Sequence, residues 1–565
     1  MITIEELRSV PLFAALPDDE AEALAARLAD VRLREGDWLI HEGEQPSFFM
    51  VIEGSLELRK VVHGIERHLD DYRAGTYFGE VPLLLGAPAI ASLRAREPSR
   101  VARLEQADFT SLFSMCETFA AELARTMTHR LTRLQDLAKL APPPTVTIVG
   151  HRYDIACHHL RDFLLRNRVV FRWHDPAHPK SVDGFAPPDP GDRFPMVILP
   201  DGGRLVTPTL RELAQRLGLQ TVPGDSAYDL AIIGAGPAGL AAAVYGASEG
   251  LRTLLLEREA PGGQAGTSSR IENYLGFPTG LSGDELSGRA LQQARRFGTE
   301  LLVAREVVAL EPDAASGDHA IVLDGGDRVR ARAVIIAAGV AWRELDVPGA
   351  ETLVGRGIYY GAARTEAMGC TGQHVFLVGG GNSAGQAAMF FASYARRVTL
   401  LVRGPSLAAS MSHYLIQQLA TQGNIEVRTH CRIIRVEGEH HLESIVIEYR
   451  DTGELITEPA KAVFAFIGAD ARTEWLPAPL IRDDQGFVCT GRDVMDLVAQ
   501  RQGNWPLARD PFLLETSVPG IFAAGDVRHG SIKRVASGVG EGSMSIAFVH
   551  QYIGAQPARP ASNIR

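Results

Sequence analysis

Two stretches of the chain share one pattern of apolar and small residues. "YDLAIIGAGPAGLAAAVYGA" from Tyr228 and "HVFLVGGGNSAGQAAMFFA" from His374 each run from an apolar strand through a glycine turn into a helix of small residues. Their turns start at Gly234 and Gly379, 145 residues apart, so one strand-turn-helix unit is used twice. Upstream the pattern changes. "TVTIVG", "CHHLRDFLLRN" and "VVFRWHD" read as strand, helix and strand, followed by "RFPMVILPDGGRLVTPTLRELAQRLGL". Nearer the start, short strands alternate with glycine turns in "REGDWLIHEGEQPSFFMVIEGSLELRK" and "GTYFGEVPLLLGAPAIASLRA", and helices are predicted to about residue 140.

Proline clusters mark the breaks: "APPPT" at 141–145, "GFAPPDPGDRFP" inside the second segment, and "TVPGDSAYDL" at 221–230. They delimit segments of about 1–140, 146–222 and 226–555. A length of 565 residues agrees with several domains.

Composition adds exclusions. A net charge of -11 argues against a nucleic-acid or anionic-membrane partner. The longest apolar run, "DLAIIGAGPAGLAAAVYGA", is broken by glycines and a proline, so no membrane-spanning helix is expected. "MITIEELRSV" lacks the pattern of an export signal, which makes the cytoplasm the expected location. The five cysteines (Cys116, Cys157, Cys370, Cys431 and Cys489) form no CxxC pair and no zinc spacing, so buried thiols and no metal site are expected.

The glycine turns carry the candidate chemistry. Gly234, Gly236 and Gly239 form GxGxxG around Pro237 and Ala238, and Glu257 ends the next strand, "LRTLLLE". This spacing suits a dinucleotide: a tight turn, a close approach to pyrophosphate, a helix N-terminus for the phosphates, and an acid for ribose hydroxyls. In the second unit Gly379, Gly381 and Ala384 form GxGxxA around Asn382 and Ser383. Arg403 stands after the next strand where an acid would face a ribose, which favours the 2'-phosphate of NADPH, with NADH as the alternative donor.

Two further motifs, "PGGQAGTSSRIENYLGFP" and "TSVPGIFAAGDVRHG", complete a resemblance to the low-molecular-weight thioredoxin reductases over about 226–555. The resemblance implies FAD held by the Gly234 turn, Glu257, Gly263, Gln264, Asn273, Gly525, Asp526, Arg534 and Val535. It also implies a homodimer, a discontinuous FAD domain (226–343 and 475–565) and an inserted NAD(P)H domain (344–474). Where the family usually shows Arg-Gln before "VASGVGEG", this chain has Lys533 and Arg534, so more positive charge is expected at the flavin's pyrimidine edge. Val402, Gly404 and Ala408 replace the His, Arg and Arg that accompany Arg403 in the family.

One departure bears on function. The family's "YCxxCDG" falls on "YGAARTE", which places Gly361 and Arg364 at the two redox-cysteine positions. Cys370 lies six residues beyond Arg364 and is expected to be an inert thiol.

Residues 146–222 resemble a glutaredoxin-like thioredoxin fold, including Pro195 before a strand. Its CxxC position falls on "DIAC", leaving Asp154 and Cys157. The first segment resembles the cyclic-nucleotide-binding domain. In the cassette "YFGEVPLLLGAPAIASL", Gly79 and Glu80 match the family's phosphate-facing glycine and ribose acid, while its phosphate arginine falls on Ala89, which leaves that charge to Arg94 or another arginine.

The expected fold is therefore a multidomain chain: a β jelly roll with flanking helices, a thioredoxin-like α/β domain, then two Rossmann-like α/β dinucleotide-binding domains. The expected function is an FAD oxidoreductase taking hydride from NADPH and passing electrons to a protein, quinone or small oxidant. Alternatives are a disulfide reductase using a partner's or remote cysteines, and a flavin-based redox sensor regulated through the front domains.

Overall fold

In a computed structural model, the described residues are 2–14, 16–44, 46–62, 65–85, 89–105, 108, 109, 112, 123, 146–177, 193–268, 270–278, 280–313, 317–361, 364–500 and 505–556. The predicted helical run to residue 140, most of the "GFAPPDPGDRFP" loop and the last nine residues lie outside them. The chain divides into two compact units, Met1–Thr145 and Val146–Arg565.

The first unit is β-rich. One antiparallel sheet has the order Ala29–Leu33, Ser99–Leu104, Phe48–Glu53, Tyr77–Phe78. The other has the order Trp38–Ile40, Ser92–Ala95, Ser55–Val62, Ile65–Arg73. Ile40, Phe49, Val51, Leu56, Leu93 and Val101 come from both sheets and fill one core.

The second unit begins with a small mixed sheet ordered Phe171–His174, Val146–Val149, Met196–Ile198, Arg204–Val206. Helix α1 (Ile155–Arg166) connects its two parallel strands, and the Phe194–Pro195 peptide is cis. Asp154 caps α1 by accepting from Ala156 N at 3.1 Å.

A seven-stranded sheet follows, built around Ala227–Ile233. That strand is buried almost throughout, as expected of a parallel strand covered on both faces. It leads through Gly234 into α2 (Pro237–Ser248), where proline at the first position presets the helix. An inserted lobe has a five-stranded parallel sheet around His374–Val378, leading into α3 (Asn382–Ala392), and a three-stranded antiparallel sheet, Cys431–Glu437, Ser444–Tyr449, Glu454–Pro459. Its two connections pair with one another, Ala341–Trp342 against Ala469–Asp470. The chain then returns to the large sheet at Ile521–Ala523 and ends in α4 (Val535–Gly554).

The stretch "TVPGDSAYDL" reads as a linker, but the structure ties it down. Arg305, fully buried, donates to Thr221 O at 2.5 Å and to Asp324 Oδ1 at 2.8 Å and Asp327 Oδ2 at 2.7 Å. Glu300 accepts from Gln220 Nε2 at 2.7 Å, Gly224 N at 2.6 Å and the Tyr228 hydroxyl at 2.8 Å. Residues 146–222 thus have their own sheet yet share a unit with the two lobes that follow.

Candidate functional site

The first glycine turn is shaped for close approach. Gly234 has φ of 104°, and a Cβ on Gly239 would collide with the Gly234 carbonyl oxygen, so strand and helix meet at backbone distance. Beyond the turn, the N-terminus of α2 presents backbone N–H groups that lack helical partners. Glu257 is buried and accepts from Ala235 N at 2.9 Å and Glu259 N at 3.0 Å. Burial pushes its carboxyl above the ordinary range, against these two hydrogen bonds and the nearby Arg166.

Other segments complete the wall. Gln264, in the short helix Gly263–Gly266, donates from Nε2 to Val340 O at 2.5 Å. Asp526 lies in the turn Gly525–Val527, and burial raises its carboxyl while Lys533 opposes the shift. Glu541 of α4 holds that turn, accepting from Gly525 N at 2.7 Å and Arg528 Nη2 at 2.7 Å. Its only sequence signal is one acid in a helix of small residues. Arg534 caps α4 before Val535, and Lys533 Nζ sits 4.7 Å above the Phe487 ring. Lys533 therefore lines the cleft with an aromatic partner already beside it.

These residues surround one cleft of about 730 Å³. Of those expected from sequence, Gly234, Gly236, Pro237, Ala238, Glu257, Gly263, Gln264, Asn273, Gly525, Asp526, Arg534 and Val535 line it. Gly239 supports the turn from behind. From the second turn only Asn382 and Ser383 reach the cleft; Gly379, Gly381, Ala384 and Arg403 do not. Gly381 caps α3 with extended backbone, and Asn382 is fixed by Ser412, accepting from its N at 2.7 Å and donating to its Oγ at 2.9 Å. Arg403 is exposed, with its carbonyl 3.5 Å from Arg450 Nη1. A helix N-terminus that donates without a side-chain cap, a glycine cradle that a Cβ would fill, and a buried acid that accepts are what a dinucleotide requires, so the residues present fit FAD.

The thiols lie apart from this chemistry. Gly361 is buried with φ of 85°, and a Cβ there would lie 3.1 Å from Trp342 Nε1. Arg364 opens the short helix Arg364–Ala367; its side chain is outside the described residues. Cys370 is buried, and burial pushes its thiol up to about 12. Cys157, on the first turn of α1, is fully buried and pushed up to about 11 for the same reason. Between them lies a contact absent from any sequence pattern. Glu366, 3% exposed, accepts from His158 Nδ1 at 3.0 Å and Arg161 Nη2 at 3.3 Å.

In the first unit, Gly79 precedes the helix Glu80–Leu85, and Glu80 is buried. Ala89 is buried in the apolar core of the two sheets. Arg94 has partners of its own: its guanidinium lies 5.7 Å over the Trp38 ring and donates from Nε to Gly36 O at 3.1 Å. The sequence could not show this, because the direction of a strand side chain depends on register.

Among the described residues no helix is long and apolar enough to cross a membrane. Comparison with known proteins agrees with the geometry. The family model for pyridine nucleotide-disulphide oxidoreductase matches residues 228–542, and that for the cyclic nucleotide-binding domain matches residues 30–116. The thioredoxin reductase of Peptoclostridium litorale is 32% identical over 337 residues, which cover 58% of this chain and 98% of that protein. That of Bacillus subtilis (strain 168) is 31% identical over 333 residues, covering 58% and 96%. Among solved structures, Lactococcus lactis thioredoxin reductase in its FR conformation gives a TM-score of 0.51 at 28% identity, covering 58% of this chain and 100% of that one. T. acidophilum thioredoxin reductase gives 0.52 at 26%, covering 59% and 100%. The chain therefore belongs to the pyridine nucleotide-disulphide oxidoreductases, as an NAD(P)H-dependent flavoenzyme of the thioredoxin reductase type carrying a cyclic-nucleotide-binding domain.

Proposed function

We propose that this flavoenzyme takes hydride from NADPH and delivers electrons to an acceptor that brings its own redox group: a protein, a quinone or a small oxidant. One observation carries the reading. Gly361 and Arg364 stand at the redox-pair positions, and the two thiols considered as substitutes, Cys157 and Cys370, are buried and strongly protonated.

FAD, when bound, supplies two-electron chemistry and the link to the acceptor. The chain's residues position it. The α2 N-terminus would meet its pyrophosphate and Glu257 its adenosine ribose. Glu541 fixes the turn that offers Asp526 to the cleft. At the second turn, the Asn382–Ser412 pair orders the loop, and Arg403 recognises the 2'-phosphate of NADPH. Residues 146–222 serve as a glutaredoxin-like scaffold. The first unit serves as a jelly-roll docking module in which Ala89 supplies no charge for a cyclic phosphate.

Stopped-flow reduction by NADPH, then steady-state turnover with ferricyanide, a quinone, dioxygen and a disulfide, tests the reading. Fast reduction with turnover on ferricyanide or a quinone is expected. Preferred turnover on a disulfide, lost in Cys157→Ser or Cys370→Ser, would overturn it. Fast reduction with no turnover on any acceptor would favour a sensor.

A further inference from the structure

Helix α1 belongs to neither dinucleotide lobe, yet it lies along the cleft between them. At 12 residues it spans roughly 18 Å. Its first residue, Ile155, lies beside Gly355 of the inserted lobe, and its last, Arg166, lies at Glu259, just after the ribose acid of the first turn. His159, Asp162, Phe163 and Arg166 line the same cleft as Gly236 and Glu257.

We propose that the second half of α1 completes the adenosine end of the FAD site, so that flavin retention depends on a module outside the two dinucleotide lobes. The inference rests on the reading that the first turn holds FAD. Arg166, 15% exposed, donates from Nη1 to Glu259 Oε2 at 2.8 Å and from Nη2 to Ala260 O at 3.1 Å. Asn167 Nδ2 reaches Glu259 O at 3.3 Å, and Arg168 Nη2 reaches Asp284 O at 2.6 Å. The segment that follows Glu257 is therefore held from outside its own lobe, by a cation that also offsets the burial of the Glu257 carboxylate.

The chemistry suits a nucleoside. Glu257 accepts from ribose hydroxyls, so the groups beyond it on the outer side face the base. Phe163 supplies an apolar wall, and His159, exposed within the cleft, supplies an aromatic face. The Arg305 and Glu300 clusters that anchor residues 220–228 keep this wall in register with the turn.

The test compares full-length Arg166→Leu, His159→Ala and Glu257→Ala with the unaltered protein. Flavin release is followed by the fluorescence of free FAD, and Kd by titrating FAD into flavin-free protein. Removing the charge-assisted contacts of Arg166 should raise Kd by about tenfold to a hundredfold. His159→Ala should speed release by less and leave the thermal unfolding of the flavin-free protein unchanged. It also keeps the test decisive if Arg166→Leu folds poorly, because His159 is outside the core. Both α1 variants holding FAD as tightly as the unaltered chain, while Glu257→Ala loses it, would overturn the role of α1 and leave the first-turn reading standing. Failure of the unaltered chain to bind FAD would overturn both.

Discussion

The two glycine turns match in backbone and differ in what surrounds them. Gly234 and Gly379 both have positive φ, and Gly236 and Gly381 both cap a small-residue helix with extended backbone. At the first turn the acid after the next strand, Glu257, is buried and bonded to the turn's own backbone, with α1 alongside. At the second, Arg403 is exposed and stands outside the cleft. Enclosure slows dissociation and exposure permits exchange. On the function proposed above, the first turn would suit a resident cofactor and the second a nucleotide that arrives and leaves in each cycle.

The largest test of this contrast is at Glu366, where α1 is fastened to the inserted lobe. Glu366→Ala leaves Arg161, 4% exposed, without its anion, and losing one partner of a buried pair costs about 3–5 kcal/mol. Thermal unfolding should show that loss while bound flavin stays unchanged, because Arg166 secures the other end of the helix independently. Lost flavin would show that the enclosure depends on both ends. The pH dependence has a definite sign. Burial alone would raise the Glu366 carboxyl, but His158 and Arg161 bring it below its ordinary 4.5. The stabilisation is present above that value and is lost as pH falls through the lowered one. The Tm gap between the unaltered chain and Glu366→Gln should therefore close as pH falls below 4.5.

What could be read in advance follows from range. The Gly234 turn, the acid Glu257 after the next strand and the small-residue helix between them were legible because a few neighbouring residues determine each of them. The Glu366–Arg161 contact joins residues 205 apart, and the Arg305–Thr221 anchor joins residues 84 apart, so no local pattern announces either. "TVPGDSAYDL" has the proline and glycine of a linker, and only its distant partners turn it into an anchor. Arg94 shows the same limit in the first unit, where strand register turns it toward Trp38.

A smaller effect is expected at Arg403. If it meets the 2'-phosphate, Arg403→Ala should raise KM for NADPH by about tenfold, leave KM for NADH unchanged, and lose its effect as salt rises. Equal shifts for both nucleotides would remove Arg403 from discrimination and turn attention to Arg450, whose guanidinium lies beside it.

The smallest effect expected is none, at the thiols. With its thiol pushed up to about 11, Cys157 is thiolate in roughly one molecule per thousand at pH 8, and Cys370, at about 12, in fewer. Iodoacetamide at pH 8 should leave both unmodified in the native protein and label both after denaturation, with peptide mass spectrometry as the readout. Turnover with ferricyanide should be the same in Cys157→Ser/Cys370→Ser as in the unaltered chain. Rapid native labelling of either cysteine, reversed by a disulfide substrate, would reopen an internal thiol route. Protection would leave the cleft beside Gly361, where Trp342 fills the space next to the missing pair, as the place where an outside acceptor must approach.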